Sequence, residues 1–326
     1  VRAAVCPEYG PPEVVRVEET AAPARPTPAG QVRVRVAVAA VNYPDVLLVA
    51  DRYQISVAPP FVPGSEFAGT VDDIGEGVDG FAVGDRVMGT AMVGAFAEEA
   101  VVPVAALRAV PEGMELATAA ACGVAHRTAY HALRSVAGLQ PGEELVVLGA
   151  GGGVGLAAVQ LGRELGATVT AVASSADKLE VAAAAGASTL IKHTTEDLRS
   201  ALRVALPGGA DVVVDPVGGR LSEPALRALR FGGRFVTVGY ASGEIPRIPL
   251  NLVLLKGIQV HGFQFLEFVK HRPDQFQRNE AELTALLAAG RATPHIGATY
   301  TLDETAAALR CVADGRAIGK VVIAVA

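Results

Sequence analysis

From about Leu145 onward the chain sets short apolar runs at a nearly regular interval: Leu145-Val146-Val147-Leu148, Val169-Thr170-Ala171-Val172, Leu190-Ile191, Val212-Val213-Val214, Phe235-Val236-Thr237-Val238 and Ile258-Gln259-Val260. Neighbouring runs start roughly 20–25 residues apart, room for one helix and two turns between parallel strands. A strand covered by helices on both faces has no solvent side, so it reads as a continuous apolar run rather than an alternation. The spacing predicts an α/β domain with a doubly wound parallel sheet of six strands.

Upstream the pattern changes. Val32, Val34, Val36 and Val38 alternate with Arg33 and Arg35, which predicts a half-buried strand with the valines inward and both arginines outward. Strand-like Thr70-Val71-Asp72-Asp73-Ile74 and Arg86-Val87-Met88 lie among turn signals at Asp79-Gly80 and Gly84-Asp85, and helix signals are sparse, as in a folded-over β-barrel. After the sixth run come a predicted helix over 274–289, a strand near 299–302, a helix over 303–314 and a last strand over 320–325. This tail is too short for a core of its own, so it is expected to rejoin the first region and complete its sheet. The expected domains are therefore 1–122 with 262–326, and an inserted 123–261; 326 residues, 51% of them apolar, suffice for two cores.

Charge and composition exclude several roles. A net charge of −6, with no Lys/Arg cluster interleaved with aromatics, argues against nucleic acid as a partner. Cys6, Cys122 and Cys311 are too few and too scattered for a disulfide framework or a cysteine-rich metal site. Nothing in the sequence reads as a membrane span. The opening Val1-Arg2-Ala3-Ala4-Val5 reads as a strand and not as a signal peptide, so a soluble, cytoplasmic protein is expected.

The strongest chemical signal is Leu148-Gly149-Ala150-Gly151-Gly152-Gly153-Val154-Gly155-Leu156. A strand ends, glycines permit a tight turn, and the following helix offers its N-terminal N–H groups to a diphosphate; this is the Rossmann arrangement for a dinucleotide. Gly151, Gly152, Gly153, Val154 and Gly155 are the candidate cradle. The second strand ends in Ala173-Ser174-Ser175, where sites for NAD normally carry an acidic residue on the ribose 2′-hydroxyl. Ser174, Ser175 and Lys178 can donate to a 2′-phosphate that a carboxylate would repel, which favours NADPH. Asp177 is read as a first-turn helix residue, and both serines are equally readable as caps of that helix.

These motifs, with Pro63-Gly64-Ser65-Glu66-Phe67-Ala68-Gly69, Thr128-Ala129-Tyr130-His131, Val238-Gly239-Tyr240-Ala241-Ser242-Gly243, Gly262-Phe263-Gln264-Phe265 and Gly319-Lys320-Val321-Val322, resemble the medium-chain dehydrogenase/reductase superfamily. Within it the chain is similar to the zinc-free NADPH:quinone oxidoreductase (zeta-crystallin-like) branch. The resemblance implies a GroES-like, partly open β-barrel catalytic domain beside the Rossmann sheet. It places the first zinc-ligand cysteine of the alcohol dehydrogenases at Asn42 and their histidine at Ser65, neither of which is a normal zinc ligand. Cys122 falls near the third ligand position, alone.

The same resemblance implies Asn42, Tyr43 and Tyr53 beside the nicotinamide and substrate. Thr128, Val238, Gly239, Ser242, Phe263, Phe265 and Lys320 join the cofactor set, as does His193 where relatives place a tyrosine on the 2′-phosphate. Each has a plain alternative: Asn42 ends a strand, Tyr43 and Tyr53 are partly buried aromatics, the Thr128 hydroxyl bonds its own turn, and His193 sits in a surface loop. If His193 does meet phosphate, NADPH affinity is expected to weaken as pH rises through neutrality. The expected activity is hydride transfer to a quinone or enone; alternatives are an enoyl-thioester or alkenal reductase and a low-turnover NADPH-binding protein. A homodimer is expected through the edge strand near 257–263.

Overall fold

In the computed structural model, which describes residues 1–23 and 25–325, the six apolar runs form one sheet. Its strands are Glu144–Leu148, Thr168–Ala173, Thr189–Lys192, Ala210–Asp215, Leu229–Thr237 and Gln259–Gly262, and every neighbouring pair is parallel. In space the order is third, second, first, fourth, fifth, sixth, so the sequence reverses direction beside Glu144–Leu148. Val146, Leu148, Val213 and Phe235 are fully buried, as strands sandwiched by helices must be. Helix Gly153–Glu164 buries Leu156, Ala157, Ala158, Val159, Leu161 and Gly162, its small residues allowing close approach to the strands.

The chain divides into one unit of Val1–Val124 with Thr293–Ala326 and another of Ala125–Ala292. The second unit is thus inserted within the first, and its far boundary lies beyond residue 262. The helices Phe265–His271 and Pro273–Ala288 stay with the parallel sheet because their side chains are held by helix Ala125–His131. Arg127 Nε donates to Glu280 at 2.9 Å, Tyr130 Oη to Glu282 at 2.7 Å, and His131 bridges Glu280 and Asn279 at 3.0 and 2.9 Å. Around His131 pack the rings of Phe265, Phe268 and Phe276.

The other unit is built on strand Gln31–Val41. It pairs antiparallel with Glu66–Ile74, with Glu99–Pro103 and with the returning Lys320–Ala324, and Ile296–Thr301 adds parallel to the last of these. The tail thus completes the first region's sheet, as its length required. Val32, Val34 and Val36 are fully buried. Arg35 points outward onto Asp72 at 2.6 Å, but Arg33, expected to do the same, is fully buried. Strand Glu99–Pro103 pairs with the same stretch and brings Glu99 to 3.7 Å from Arg33, with Asp73 also at 3.7 Å, so the guanidinium is covered and neutralised together. Helices in this unit are short, Tyr43–Val49, Leu116–Cys122 and Thr305–Ala313.

Candidate functional site

At the end of Glu144–Leu148 the chain turns at Gly149 with φ +61°, where a Cβ would lie 2.6 Å from Val217 Cγ2. A Cβ on Gly155 would press into the Gly149 carbonyl oxygen, and one on Gly151 into the Lys178 side chain. Gly152 is different: its only near neighbour is the Gly149 carbonyl at 3.5 Å, so its outer side is open. Gly152 also precedes helix Gly153–Glu164 without any side-chain cap, which leaves first-turn N–H groups for a ligand. Three glycines close the turn and a fourth opens it, at the point where strand order reverses. A dinucleotide diphosphate fits this cradle.

The tip of the second strand gathers donors. Ser175 Oγ accepts the Lys178 backbone N–H at 3.4 Å and so serves as the cap of helix Ala176–Ala184. Ser174 Oγ instead accepts from Lys178 Nζ at 3.3 Å, and Thr194 Oγ1 ties the next loop to the Ser174 carbonyl at 2.9 Å. That loop carries His193, whose Nδ1 is buried without a hydrogen-bond partner among the described residues. Burial first, then the charges of Arg220 and Lys178, hold the His193 imidazole below its ordinary pKa. Lys178 and Arg220 thus lie close enough to His193 for their charges to act on it. Asp177 is exposed in the first turn of the helix.

Arg220 escaped the sequence reading because it follows the fourth strand, far along the chain. Asp215 shapes its loop: Oδ1 accepts the N–H groups of Val217 and Gly218, both at 2.8 Å, and Oδ2 accepts Ser222 Oγ at 2.6 Å. Val238 and Gly239 donate to the Asp215 carbonyl at 2.8 and 3.4 Å, and Ser242 N–H to Val217 at 2.9 Å, so these three expected residues meet at one loop. Thr128 is half-buried on Ala125–His131. Phe263 N–H bonds Thr237 at 3.0 Å and its ring is buried. Phe265 belongs to the aromatic packing, with the Arg127 guanidinium 4.9 Å above its ring.

The first unit holds a buried polar network. Glu66 is fully buried; its Oε1 accepts Asn42 Nδ2 at 2.9 Å and the Lys320 ammonium, and its Oε2 accepts the Val124 N–H at 2.7 Å. Lys320, expected as a cofactor contact, is 3% exposed and turns inward, also donating to Asn42 Oδ1 at 2.6 Å. Asn42 Nδ2 further reaches Ser65 Oγ at 3.2 Å. Both ends of the Asn42 amide are thus engaged, and the residue positions its neighbours. Ser65 is the partly exposed member of this group. Asp45, fully buried in the first turn of Tyr43–Val49, accepts the Asn42 backbone N–H at 2.7 Å on Oδ2. Burial pushes its carboxyl up to about 7, against the opposing pull of the Asn42 N–H, the Ser65 hydroxyl and Lys320, with Glu66 adding to the rise. Tyr43 and Tyr53 are half-buried; burial, with Asp45 nearby, raises the Tyr53 phenol.

Two family models match, "Alcohol dehydrogenase GroES-like domain" over residues 28–112 and "Zinc-binding dehydrogenase" over 153–285. Quinone oxidoreductase-like protein 2 of Bos taurus is 36% identical, across 99% of this chain and 92% of that protein. The chain belongs to the medium-chain dehydrogenase/reductase family, on its quinone oxidoreductase-like side. The quinone oxidoreductase of Escherichia coli, solved as a complex with NADPH, superposes with a TM-score of 0.91 at 26% identity, with both chains fully covered. A spectinabilin polyketide synthase protein of Streptomyces orinoci is 37% identical over 94% of this chain, which spans 13% of that much longer protein.

Asn42 and Ser65, which the resemblance set at two zinc-ligand positions, are an amide and a hydroxyl hydrogen-bonded to each other at 3.2 Å. Cys122, near the third, is buried, and its thiol is pushed up to about 12 by burial and then by Glu66. Among the described residues no group of three or more His, Cys, Asp or Glu is placed to hold a metal ion, and no helix is long and apolar enough to cross a membrane.

Proposed function

We propose that this member of the family is an NADPH-dependent reductase that adds hydride to quinones or α,β-unsaturated carbonyl compounds without zinc. The observation that carries this reading is the Asn42–Ser65–Glu66–Lys320 network: it fills the metal-ligand positions of the zinc enzymes with an amide and a hydroxyl locked into hydrogen bonds. Such groups are poor zinc ligands but supply a donor to a developing oxyanion. A conjugated acceptor is electrophilic enough to be reduced with hydrogen-bond donation alone, whereas a saturated alcohol needs stronger activation.

Residues 151–155 would hold the diphosphate, and Lys178, His193 and Arg220 the 2′-phosphate. When bound there, the reduced nicotinamide supplies the hydride. The chain's own part is to fix that cofactor and to offer the Ser65 hydroxyl, held by Asn42, to the substrate oxygen. Likeness to a polyketide synthase protein supports an enoyl thioester or alkenal as the second acceptor class. Steady-state kcat/KM for a benzoquinone, a short enal and an enoyl-CoA, each with NADPH and NADH, tests the reading. NADPH oxidation with a conjugated acceptor is expected, and tight NADPH binding without turnover on any of them would refute it.

The reading includes a homodimer through the edge strand Gln259–Gly262. Val260 on that strand, Leu254 and Leu255 on the preceding helix and Phe231 beside Gly257 leave large apolar side chains 45–81% exposed next to unpaired backbone groups. Sedimentation of Leu254→Lys is expected to show a shift to monomer; an unchanged dimer would place the interface elsewhere.

A further inference from the structure

We propose that Asp215 is a positioning residue for the dinucleotide. Without touching the cofactor, its carboxylate fixes the turn that presses Val217 onto the glycine turn and carries the 238–242 loop, and so sets how tightly the cofactor is gripped. The inference rests on the cofactor lying along residues 151–155, and it names what holds the other wall of that crevice.

Topology sets the position. Strand order reverses between Glu144–Leu148 and Ala210–Asp215, which run parallel, and ligands of such sheets bind in the crevice outside the carboxyl ends of the strands at that reversal. One of these strands runs into the glycine turn at Gly149, and the other ends on Asp215. The two ends meet, since a Cβ on Gly149 would lie 2.6 Å from Val217 Cγ2. Val217 is thus a wedge against the first glycine of the cradle, and a shift of Val217 changes the space left for a diphosphate.

Asp215 is fully buried, so it meets no ligand, and its side chain is spent on the turn that follows. Oδ1 accepts the Val217 and Gly218 N–H groups, both at 2.8 Å, and Oδ2 accepts the Ser222 hydroxyl at 2.6 Å. These bonds curl the chain back over the strand end through Gly218 and Gly219, whose φ values of +71° and +60° favour glycine. The Asp215 carbonyl takes the Val238 N–H at 2.8 Å and the Gly239 N–H at 3.4 Å. Beyond it, Ala241 N–H bonds Pro216 at 3.1 Å, Ser242 N–H bonds Val217 at 2.9 Å and Gly219 N–H bonds Glu244 at 3.0 Å. Residues 215–219 and 238–244 are laced into one body, and the Asp215 side chain ties that body to helix Ser222–Ala228.

Charge and geometry make opposite predictions here. A carboxylate near a polyanionic ligand opposes its binding, so on charge alone any neutral replacement of Asp215 tightens the grip. On geometry the replacement must still hold the turn. In Asp215→Asn the amide oxygen keeps both N–H groups and the NH2 group turns to Ser222 Oγ, which can accept as well as donate. In Asp215→Ala the same N–H groups lose their acceptor, and the turn opens to find others.

Titration calorimetry of the full chain with NADPH and with NADH, paired with melting curves, separates positioning from stability alone. Asp215→Ala is expected to weaken both nucleotides about 10-fold, on the scale of the hydrogen bonds it deletes, because the diphosphate is common to the two. Asp215→Asn is expected to bind both within about 3-fold of wild type. Ser222→Ala removes the Oδ2 bond and leaves both Oδ1 bonds, so its melting temperature is expected to fall while its affinities stay. Val217→Ala keeps the turn but withdraws the wedge from Gly149, and is expected to weaken both nucleotides. If Asp215→Ala fails to fold, Asp215→Asn and Val217→Ala still decide. Unchanged affinity in Asp215→Ala or Val217→Ala, a loss in Asp215→Asn equal to that in Asp215→Ala, or affinity that falls with melting temperature in Ser222→Ala overturns the positioning role alone. Wild type that binds neither nucleotide overturns the cofactor reading and this role with it.

Discussion

Lys320→Met examines the buried ion pair with Glu66. The ammonium makes three bonds, to Glu66 Oε1, to Asn42 Oδ1 at 2.6 Å and to the Val41 carbonyl at 3.3 Å, with 3% of the residue exposed. Methionine matches much of its length and none of its charge. Glu66 would then be a fully buried carboxylate facing only two neutral donors, Asn42 Nδ2 and Val124 N–H. Breaking a buried pair by removing one partner costs about 3–5 kcal/mol, because the surviving charge is left uncompensated. In a unit of this size each kcal/mol moves the melting temperature by about 2–4 °C, so calorimetry should record a fall of roughly 6–20 °C. The double variant Glu66→Gln/Lys320→Met removes both charges of this pair and is expected to recover more than half of that loss. A fall below about 2 °C in the single variant, or a double variant no better than the single, would refute the reasoning.

Gly155→Ala forces a methyl into the Gly149 carbonyl and should weaken NADPH binding at least tenfold, about 1.4 kcal/mol, in titration calorimetry while the fold is retained. Lys178→Met and His193→Ala should each lower NADPH affinity and leave NADH affinity unaltered, if both act on the 2′-phosphate as proposed. Because burial, Arg220 and Lys178 lower the His193 pKa, the free-protein end of its pH effect lies below the ordinary 6.5; wild-type NADPH affinity should fall as pH rises from the acid side, and His193→Ala should flatten that limb. Asp45 carries a raised folded pKa, so its contribution to stability is full below about pH 4 and is lost as pH rises toward 7. The rise from 3.8 to about 7 corresponds to about 4 kcal/mol, so Asp45→Asn should melt higher than wild type at pH 8 and lose most of that advantage at pH 4.

The parallel sheet was legible because burial on both faces writes itself into sequence as unbroken runs, and the glycine turn because its chemistry is local. What the sequence could not show depends on residues far apart in the chain. Arg33 looks like a solvent residue until strand Glu99–Pro103 covers it. Lys320 enters the cofactor set by resemblance alone, and only the pairing of Lys320–Ala324 with Gln31–Val41 brings it to Glu66. Arg220 joins Lys178 and His193 through a loop shaped by Asp215. The boundary near 292 lies past the expected 262 because Phe265, Phe268 and Phe276 converge on His131, a meeting that no periodicity announces. Ser174 and Ser175 illustrate the opposite case: both readings were visible in advance, and the structure divides them, one serine capping and the other facing Lys178.

The most direct test is NADPH oxidation by protein treated with a strong chelator, measured against a benzoquinone, a short enal and ethanol's product acetaldehyde, with bound metal determined in the same sample. Rapid oxidation with the two conjugated acceptors, unaffected by chelation and feeble with acetaldehyde, is the predicted result. Activity that disappears with the metal and returns only when zinc is restored would contradict the account.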